Sequence, residues 1–194
     1  MDPKTQDWSN LVEESYDWVS QYPEASEVLP HNMPEARGRP FQTTFFIDVA
    51  HASDLVTRRS VTGILIFCNS APIRWYSKRQ NTVESSAYGS EFVALRIATE
   101  LVEALRYKLR MFGVPLDGST TGFCDNQSVV VNAKIPSSTL KKKHNSVAYH
   151  KTREAIAAGT IRLIKEPSET NLVDVLTKPL SGPRMKYLVY NILF

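Results

Sequence analysis

Four acidic residues fall at positions where a negative charge needs compensation: Asp48, Glu91, Asp125 and Asp174. Asp48 interrupts the apolar run 45–49, and Glu91 lies three and seven residues before Ala94 and Ala98, on one helical face. Carboxylates that come close together repel one another, so a cluster of them persists only beside cations. Oxygen ligands without clustered Cys or His select hard ions. Together the four residues predict a site for Mg²⁺ or Mn²⁺.

Each of these carboxylates also has an ordinary structural explanation. Asp48 would face water at the end of a strand, and Glu91 would be favoured by the helix dipole near a helix start. Asp125 would be a plain N-cap, and Asp174, three residues after Asn171, would complete a capping box. The joint placement favours the metal site, while each residue taken alone leaves its alternative open.

Whether the four residues meet depends on the order of the elements that carry them. Hydrophobic patterns predict strands over 43–50, 61–69, 72–78, 120–125 and 161–166, and helices over 85–112, 126–135, 146–158 and 171–177. The order β-β-β-α-β-α-α-β-α indicates an α/β architecture with a mixed sheet. If the first and fourth strands are neighbours, Asp48 and Asp125 lie side by side. Glu91 and Asp174 then approach from helices.

Charge and proline content divide the chain into three parts. Residues 1–40 contain five prolines and carry a net charge of −5, which indicates a connector or extension and not a second domain. Residues 41–181 form the predicted domain, and 182–194 are expected to be a C-terminal tail. Residues 41–194 carry +8, which suits a polyanionic partner. A solvated surface of mixed charge remains the alternative.

Several classes of protein are disfavoured by composition. Cys68 and Cys124 each lie in an apolar run, so we interpret them as small buried hydrophobes and not as zinc ligands or a disulfide. No apolar run approaches the roughly 20 residues of a membrane span. The N-terminus lacks the basic and apolar blocks of a signal peptide. We therefore expect a soluble, intracellular protein with no membrane partner.

Five stretches of the sequence carry a recognisable pattern. They read TTFFIDVAHASD, RRSVTGILIF, APIRWYSKRQNTVESSAYGSEFVAL, FCDNQSVV and NLVDVLTKPL. This pattern resembles the ribonuclease H region of copia-type retrotransposon polyproteins, over about residues 41–181. The acidic positions of that family match Asp48, Glu91, Asp125 and Asp174. The resemblance implies a ribonuclease H-like fold with a five-stranded mixed sheet of order 3-2-1-4-5 flanked by helices. Residues 1–40 resemble, more loosely, the connector after a reverse transcriptase domain.

The resemblance also implies an activity. It predicts endonucleolytic hydrolysis of the RNA strand of RNA–DNA hybrids by two Mg²⁺ or Mn²⁺ ions, in retrotransposon reverse transcription. Asp48 would bridge both ions, Glu91 and Asp125 would hold one, and Asp174 the other. The implied partners are the hybrid and the reverse transcriptase domain of the same polyprotein. The implied location is a cytoplasmic virus-like particle or the nucleus.

Candidate contacts to the hybrid follow from the same resemblance. Ser86 matches a phosphate-pocket position, and Gln127 matches a position that touches the hybrid; helix-start hydrogen bonding is the alternative for both. Backbone contacts are expected from basic residues of the body: Arg58, Arg59, Lys78, Arg79 and Lys141 to Lys143. The chain departs from its relatives at 143–146, which reads KHNS where many read KHID. It also lacks a histidine in the loop 166–171 before the last helix.

Other functions remain open at this point. The chain could be a catalytically inactive binding or connector module, or a domesticated protein with a structural role. It could also be a strand-transfer or resolvase-type nuclease, although the fourth carboxylate favours ribonuclease H. The acidic segment 1–40 could mimic nucleic acid, in which case its deletion should raise the affinity for hybrid.

Overall fold

The computed structural model describes Trp18, residues 21–138, Leu140 and residues 145–193. Its strands are β1 (Thr43–Ala50), β2 (Val61–Cys68), β3 (Ala71–Arg79), β4 (Thr120–Cys124) and β5 (Ile161–Lys165). Its α-helices are α1 (Ala87–Met111), α2 (Gln127–Lys134), α3 (Ser146–Ala157) and α4 (Gly182–Leu193), with a 3₁₀ helix at Leu172–Leu176. The predicted strands and first three helices are present, with their ends shifted by at most two residues.

The five strands form one mixed sheet in the order β3-β2-β1-β4-β5. β1 pairs antiparallel with β2, and β2 pairs antiparallel with β3. β4 lies parallel to β1 and to β5, so the two crossover connections run through helices. The predicted α/β fold class and strand order are confirmed.

Both faces of the sheet are covered, which explains why β1 is apolar over 45–50 at every position but Asp48. Phe45 and Ile47 pack into the core beneath α1, α2 and α3. Phe46, between them, packs into a second core with Val173 of the 3₁₀ helix and Leu188 of α4. Successive side chains of a strand point to opposite faces, so a central strand with two covered faces is apolar at nearly every position.

The C-terminal region differs from the expectation. The helix predicted over 171–177 is a 3₁₀ helix, and residues 182–193 of the predicted tail form α4. Leu188 is fully buried against the sheet. The 3₁₀ helix ends at Leu176, and Pro179 follows three residues later, where it disfavours continuation of a helix. The short apolar pattern of α4 predicts a helix only once it is known that this face of the sheet needs a cover. No helix in the described part of the chain is long and apolar enough to cross a membrane.

The described part of the N-terminal extension packs on the helical layer. Glu27 accepts hydrogen bonds from Arg106 and Arg110 of α1. Arg153 of α3, which is buried, donates to Gln21 and lies over the ring of Trp18. The extension is therefore tied to α1 and α3 by arginine contacts.

A glycine in β2 allows the 3₁₀ helix and the residues after it to approach the sheet. Gly63 pairs with Asp48 across β1 and β2, and a Cβ there would lie 2.5 Å from Thr177 Cγ2. We expect Gly63→Ala to destabilise the protein by about 1–3 kcal/mol, because the added methyl overpacks this contact. Gly182→Ala is the control, since a Cβ there meets nothing within 4 Å. Urea unfolding of the two variants measures the difference, and equal stabilities would contradict the expected clash.

Candidate metal centre

Two of the predicted carboxylates come from neighbouring parallel strands. In the register of β1 and β4, Ile47 lies opposite Cys124. Asp48 and Asp125 each follow one of these paired residues, so they lie side by side at the carboxyl ends of two central strands. This neighbouring arrangement is the one that the sequence analysis predicts.

Asp48 is 1% exposed and is held at both carboxylate oxygens. The Thr177 hydroxyl donates to Oδ2, and the Lys178 ammonium lies 3.0 Å from Oδ1. The alternative of a strand-end aspartate facing water is therefore wrong. A carboxylate this deeply buried needs positive charge beside it.

Glu91 reaches the same place from α1. It is 5% exposed, in the second turn of the helix, on the face that carries Ala94 and Ala98 into the core. Its Oε2 is buried and has no hydrogen-bond partner among the described residues. Burial first, then the carboxylates of Asp48 and Asp125, raise the pKa of Glu91 well above its ordinary value. The charged form of Glu91 is therefore disfavoured unless a cation neutralises it.

Asp125 is not the cap of α2. Asn126 takes that role, and its side-chain oxygen accepts from the backbone of Ser128 and Val129. The Asp125 carboxylate is partly exposed and accepts a hydrogen bond of 3.1 Å from the Ser168 hydroxyl. With capping assigned to its neighbour, Asp125 can direct its carboxylate toward Glu91.

Asp174 does not form the capping box that its spacing from Asn171 allowed. Asn171 caps the 3₁₀ helix, while Asp174 directs its oxygens to two basic side chains. Lys178 donates to Oδ1 at 3.0 Å, and Arg184 of α4 donates to Oδ2. Burial, opposed by the Lys178 hydrogen bond and supported by the Asp48 charge, leaves the pKa of Asp174 raised. The last carboxylate therefore joins the cluster through Asp48 and Lys178.

The cluster has two parts with different surroundings. The paired half consists of Asp48 and Asp174, which share the Lys178 ammonium. The open half consists of Glu91 and Asp125, whose nearest ligand atoms, with Cys124 Sγ, lie within 4.8 Å of one another. Burial, then the Glu91 charge, raise the pKa of the Cys124 thiol well above its ordinary value, so it stays protonated.

The donor set fits a hard divalent ion. The candidate ligands are carboxylates from β1, α1, the residue after β4 and the 3₁₀ helix. One of their oxygens, Glu91 Oε2, is buried without a hydrogen bond from the described residues. Mg²⁺ and Mn²⁺ prefer such oxygens, and an ion there would remove the cost of the buried charge. The protonated thiol of Cys124 adds no ligand of its own.

Comparisons of sequence relate the chain to retrotransposon polyproteins. No family model matches the chain. In sequence it is similar to the Retrovirus-related Pol polyprotein from transposon TNT 1-94 of Nicotiana tabacum, at 29% identity over 73% of the chain. It is also similar to the polyprotein from transposon RE2 of Arabidopsis thaliana, at 25% identity over 78%. The chain spans about a tenth of the length of these relatives.

Superposition on solved structures shows the fold of the chain. RNase H1 from Halobacterium salinarum superposes with a TM-score of 0.53 at 15% identity, covering 70% of this chain and 94% of that one. LC11-RNase H1 in complex with an RNA/DNA hybrid superposes with a TM-score of 0.55 at 15% identity, with the same coverage. The chain has a ribonuclease H-like fold. Its homologues are Pol polyproteins of copia-type transposons, as the sequence resemblance indicates.

The predicted hybrid contacts of the ribonuclease H-like domain have different surroundings. Ser86 is the N-cap of α1 and accepts from Gly89, while Gln127 is exposed at the first position of α2. Arg79 forms an ion pair with Asp54 in the β1–β2 loop. Arg58, Arg59 and Lys78 are exposed. Lys141 to Lys143 lie outside the described residues, so their predicted role is open.

Sequence reasoning missed three residues that contact the acidic cluster of the ribonuclease H-like domain. Thr177 and Lys178 belong to the TKPL motif, and Arg184 belongs to the predicted tail. The spacing of Asp174 and Lys178, four residues apart, is a known signal for an ion pair. No local signal connects Arg184 to Asp174, because the contact depends on how α4 packs.

Proposed function

We propose that this ribonuclease H-like domain hydrolyses the RNA strand of RNA–DNA hybrids with the help of divalent metal ions. The observation that carries the proposal is the convergence of four carboxylates at the ends of β1 and β4, with Glu91 Oε2 buried and without a partner among the described residues. Such a cluster is stable in its charged form only with cations, and phosphodiester hydrolysis is the chemistry that paired metal ions support.

The residues divide into two sets of ligands. Glu91 and Asp125 would hold one ion and Asp174 the other, with Asp48 between them. Bound ions supply an activated water and stabilise the leaving oxygen. The rest of the chain orients the ligands: Thr177 fixes Asp48, Ser168 fixes Asp125, and Arg184 fixes Asp174. Preoriented ligands lower the cost of binding the ions.

The choice of substrate rests on the relatives and on surface charge. One structural neighbour was solved with an RNA/DNA hybrid, and the sequence relatives are Pol polyproteins. The exposed residues Arg58, Arg59 and Lys78 are suited to phosphate contacts. In this proposal the domain works beside a reverse transcriptase domain of the same polyprotein, in a cytoplasmic virus-like particle or in the nucleus.

Cleavage of three labelled substrates tests the proposal. An RNA–DNA hybrid, duplex DNA of the same sequence and the single-stranded RNA are incubated with the full chain and Mg²⁺ or Mn²⁺, and again with EDTA. We expect cleavage of the hybrid alone, lost in EDTA. Cleavage of duplex DNA to the same extent would indicate a strand-transfer or resolvase-type nuclease. Hybrid binding without cleavage would indicate an inactive binding module.

A further inference from the structure

The two halves of the acidic cluster differ in how their oxygens are satisfied. In the open half, Glu91 Oε2 has no hydrogen-bond partner among the described residues, and Asp125 Oδ2 accepts only from a neutral hydroxyl in that same part of the chain. In the paired half, every carboxylate oxygen has a donor, supplied by Thr177, Lys178 and Arg184. Among the described residues, basic side chains donate to the carboxylate oxygens of the paired half and not to those of the open half. The Lys165 ammonium beside the open half donates to the backbone oxygen of Asp125 instead of its carboxylate.

We propose that Lys178 is a built-in counter-ion that a divalent ion must displace in order to bind between Asp48 and Asp174. This inference rests on the proposed function, because it takes these carboxylates as metal ligands. The ammonium lies 3.0 Å from Asp48 Oδ1 and 3.0 Å from Asp174 Oδ1. A divalent ion on the same oxygens would repel the ammonium and compete for the same lone pairs.

The Lys178 side chain can leave the two carboxylates by moving into solvent. Its side chain is 38% exposed, while those of the two aspartates are 2% exposed. A lysine head on a flexible stem can rotate into solvent without moving the core. Arg184 holds the other oxygen of Asp174, so that carboxylate keeps its orientation after Lys178 leaves. The open half is therefore filled first, and the paired half takes up its ion more weakly.

Direct metal binding tests the competition without any substrate. Mn²⁺ is titrated into the full chain and counted by the EPR signal of the free ion, for wild type, Lys178→Met and Lys186→Met. Lys186 is an exposed lysine of α4, so its variant controls for the loss of one positive charge. We expect Lys178→Met to bind its weaker ion about tenfold more tightly, since two charge-assisted hydrogen bonds need not be broken.

The outcomes separate clearly. Lys178→Arg keeps the charge and should bind no more tightly than wild type, and Lys186→Met should match wild type. A second ion that only Lys178→Met takes up would also support the inference. Equal or weaker binding by Lys178→Met, or an equal gain in both Met variants, would overturn it.

A measurement on the wild-type chain guards against a variant that fails to fold. Acetic anhydride labels lysines according to their exposure, and mass spectrometry gives the rate for each residue. Adding Mg²⁺ should accelerate acetylation of Lys178 several-fold and leave Lys186 unchanged. An unchanged rate at Lys178 would sink the inference. Because neither measurement uses nucleic acid, a failure to cleave hybrid would count against the proposed function alone.

Discussion

Replacing Asp48 with Asn is expected to abolish hybrid cleavage while preserving the fold. Asp48 is 1% exposed, belongs to the paired half and lies beside Asp125 of the open half in the strand register, so the substitution removes charge at both predicted ion sites. Asn keeps the size of the side chain and an oxygen for the Thr177 hydroxyl. We expect the cleavage rate to fall at least about a thousandfold, which corresponds to about 4 kcal/mol of transition-state stabilisation. Single-turnover cleavage with saturating enzyme measures it.

The matched control for Asp48→Asn is Asp117→Asn. Asp117 is exposed, and the hydrogen bond that ties it to Phe41 uses its backbone, so the same chemical change there should leave cleavage unaffected. In EDTA, the free energy of unfolding of Asp48→Asn should lie within about 1 kcal/mol of the wild-type value, as measured by thermal unfolding. The ion pair with Lys178 that the substitution weakens is partly exposed. If Asp48→Asn cleaved the hybrid at the wild-type rate, Asp48 would not belong to the site and the proposed mechanism would be wrong.

Replacing Glu27 with Gln is expected to destabilise the domain and to leave its chemistry intact. Glu27 Oε1 lies 2.6 Å from Arg106 Nε, and Oε2 lies 2.6 Å from an Arg110 nitrogen. Arg106 is 3% exposed, so loss of the carboxylate leaves a buried guanidinium without its ion pair. We expect the free energy of unfolding to fall by about 2–3 kcal/mol. This is less than the usual cost of breaking a buried ion pair, because the Gln side chain still accepts hydrogen bonds. Urea unfolding at neutral pH measures the change.

The effect of Glu27→Gln should depend on pH in a defined direction. Burial raises the pKa of Glu27, but the hydrogen bonds and charges of Arg106 and Arg110 outweigh it and leave the pKa lowered. A lowered pKa in the folded state gives stability that is present above the unfolded pKa and lost as the pH falls through the folded value. The difference in free energy of unfolding between wild type and Glu27→Gln should therefore shrink as the pH is lowered. Glu24→Gln, an exposed site in the same segment, should change little.

This second prediction also separates two interpretations of the N-terminal extension. Arg106 lies 15 residues beyond Glu91 on α1, a distance of roughly 22 Å along the helix axis. A structural role for the Glu27 contact therefore predicts normal cleavage by the folded variant. If instead the acidic segment mimics nucleic acid, Glu27→Gln should raise the affinity for hybrid with no loss of stability.

The sequence by itself determined most of the elements and the four acidic residues of the cluster. Strand β1 could be predicted to the residue, because a strand covered on both faces is apolar at nearly every position, and the charge of Asp48 stands out against that background. Glu91 could be placed toward the sheet, because helical periodicity puts it on the face of Ala94 and Ala98. These signals are local, so they can be detected within a window of a few residues.

Only the tertiary structure decided how the acidic side chains are satisfied. Sequence spacing allowed Asp125 and Asp174 to be caps, and the structure assigns capping to Asn126 and Asn171 instead. Lys178 reaches Asp48 across 130 positions of the chain, and Arg106 reaches Glu27 across 79. Such contacts depend on which elements pack together, and hydrophobic periodicity carries no information about partners so distant in the chain. The counter-ion role that we propose for Lys178 follows from that packing.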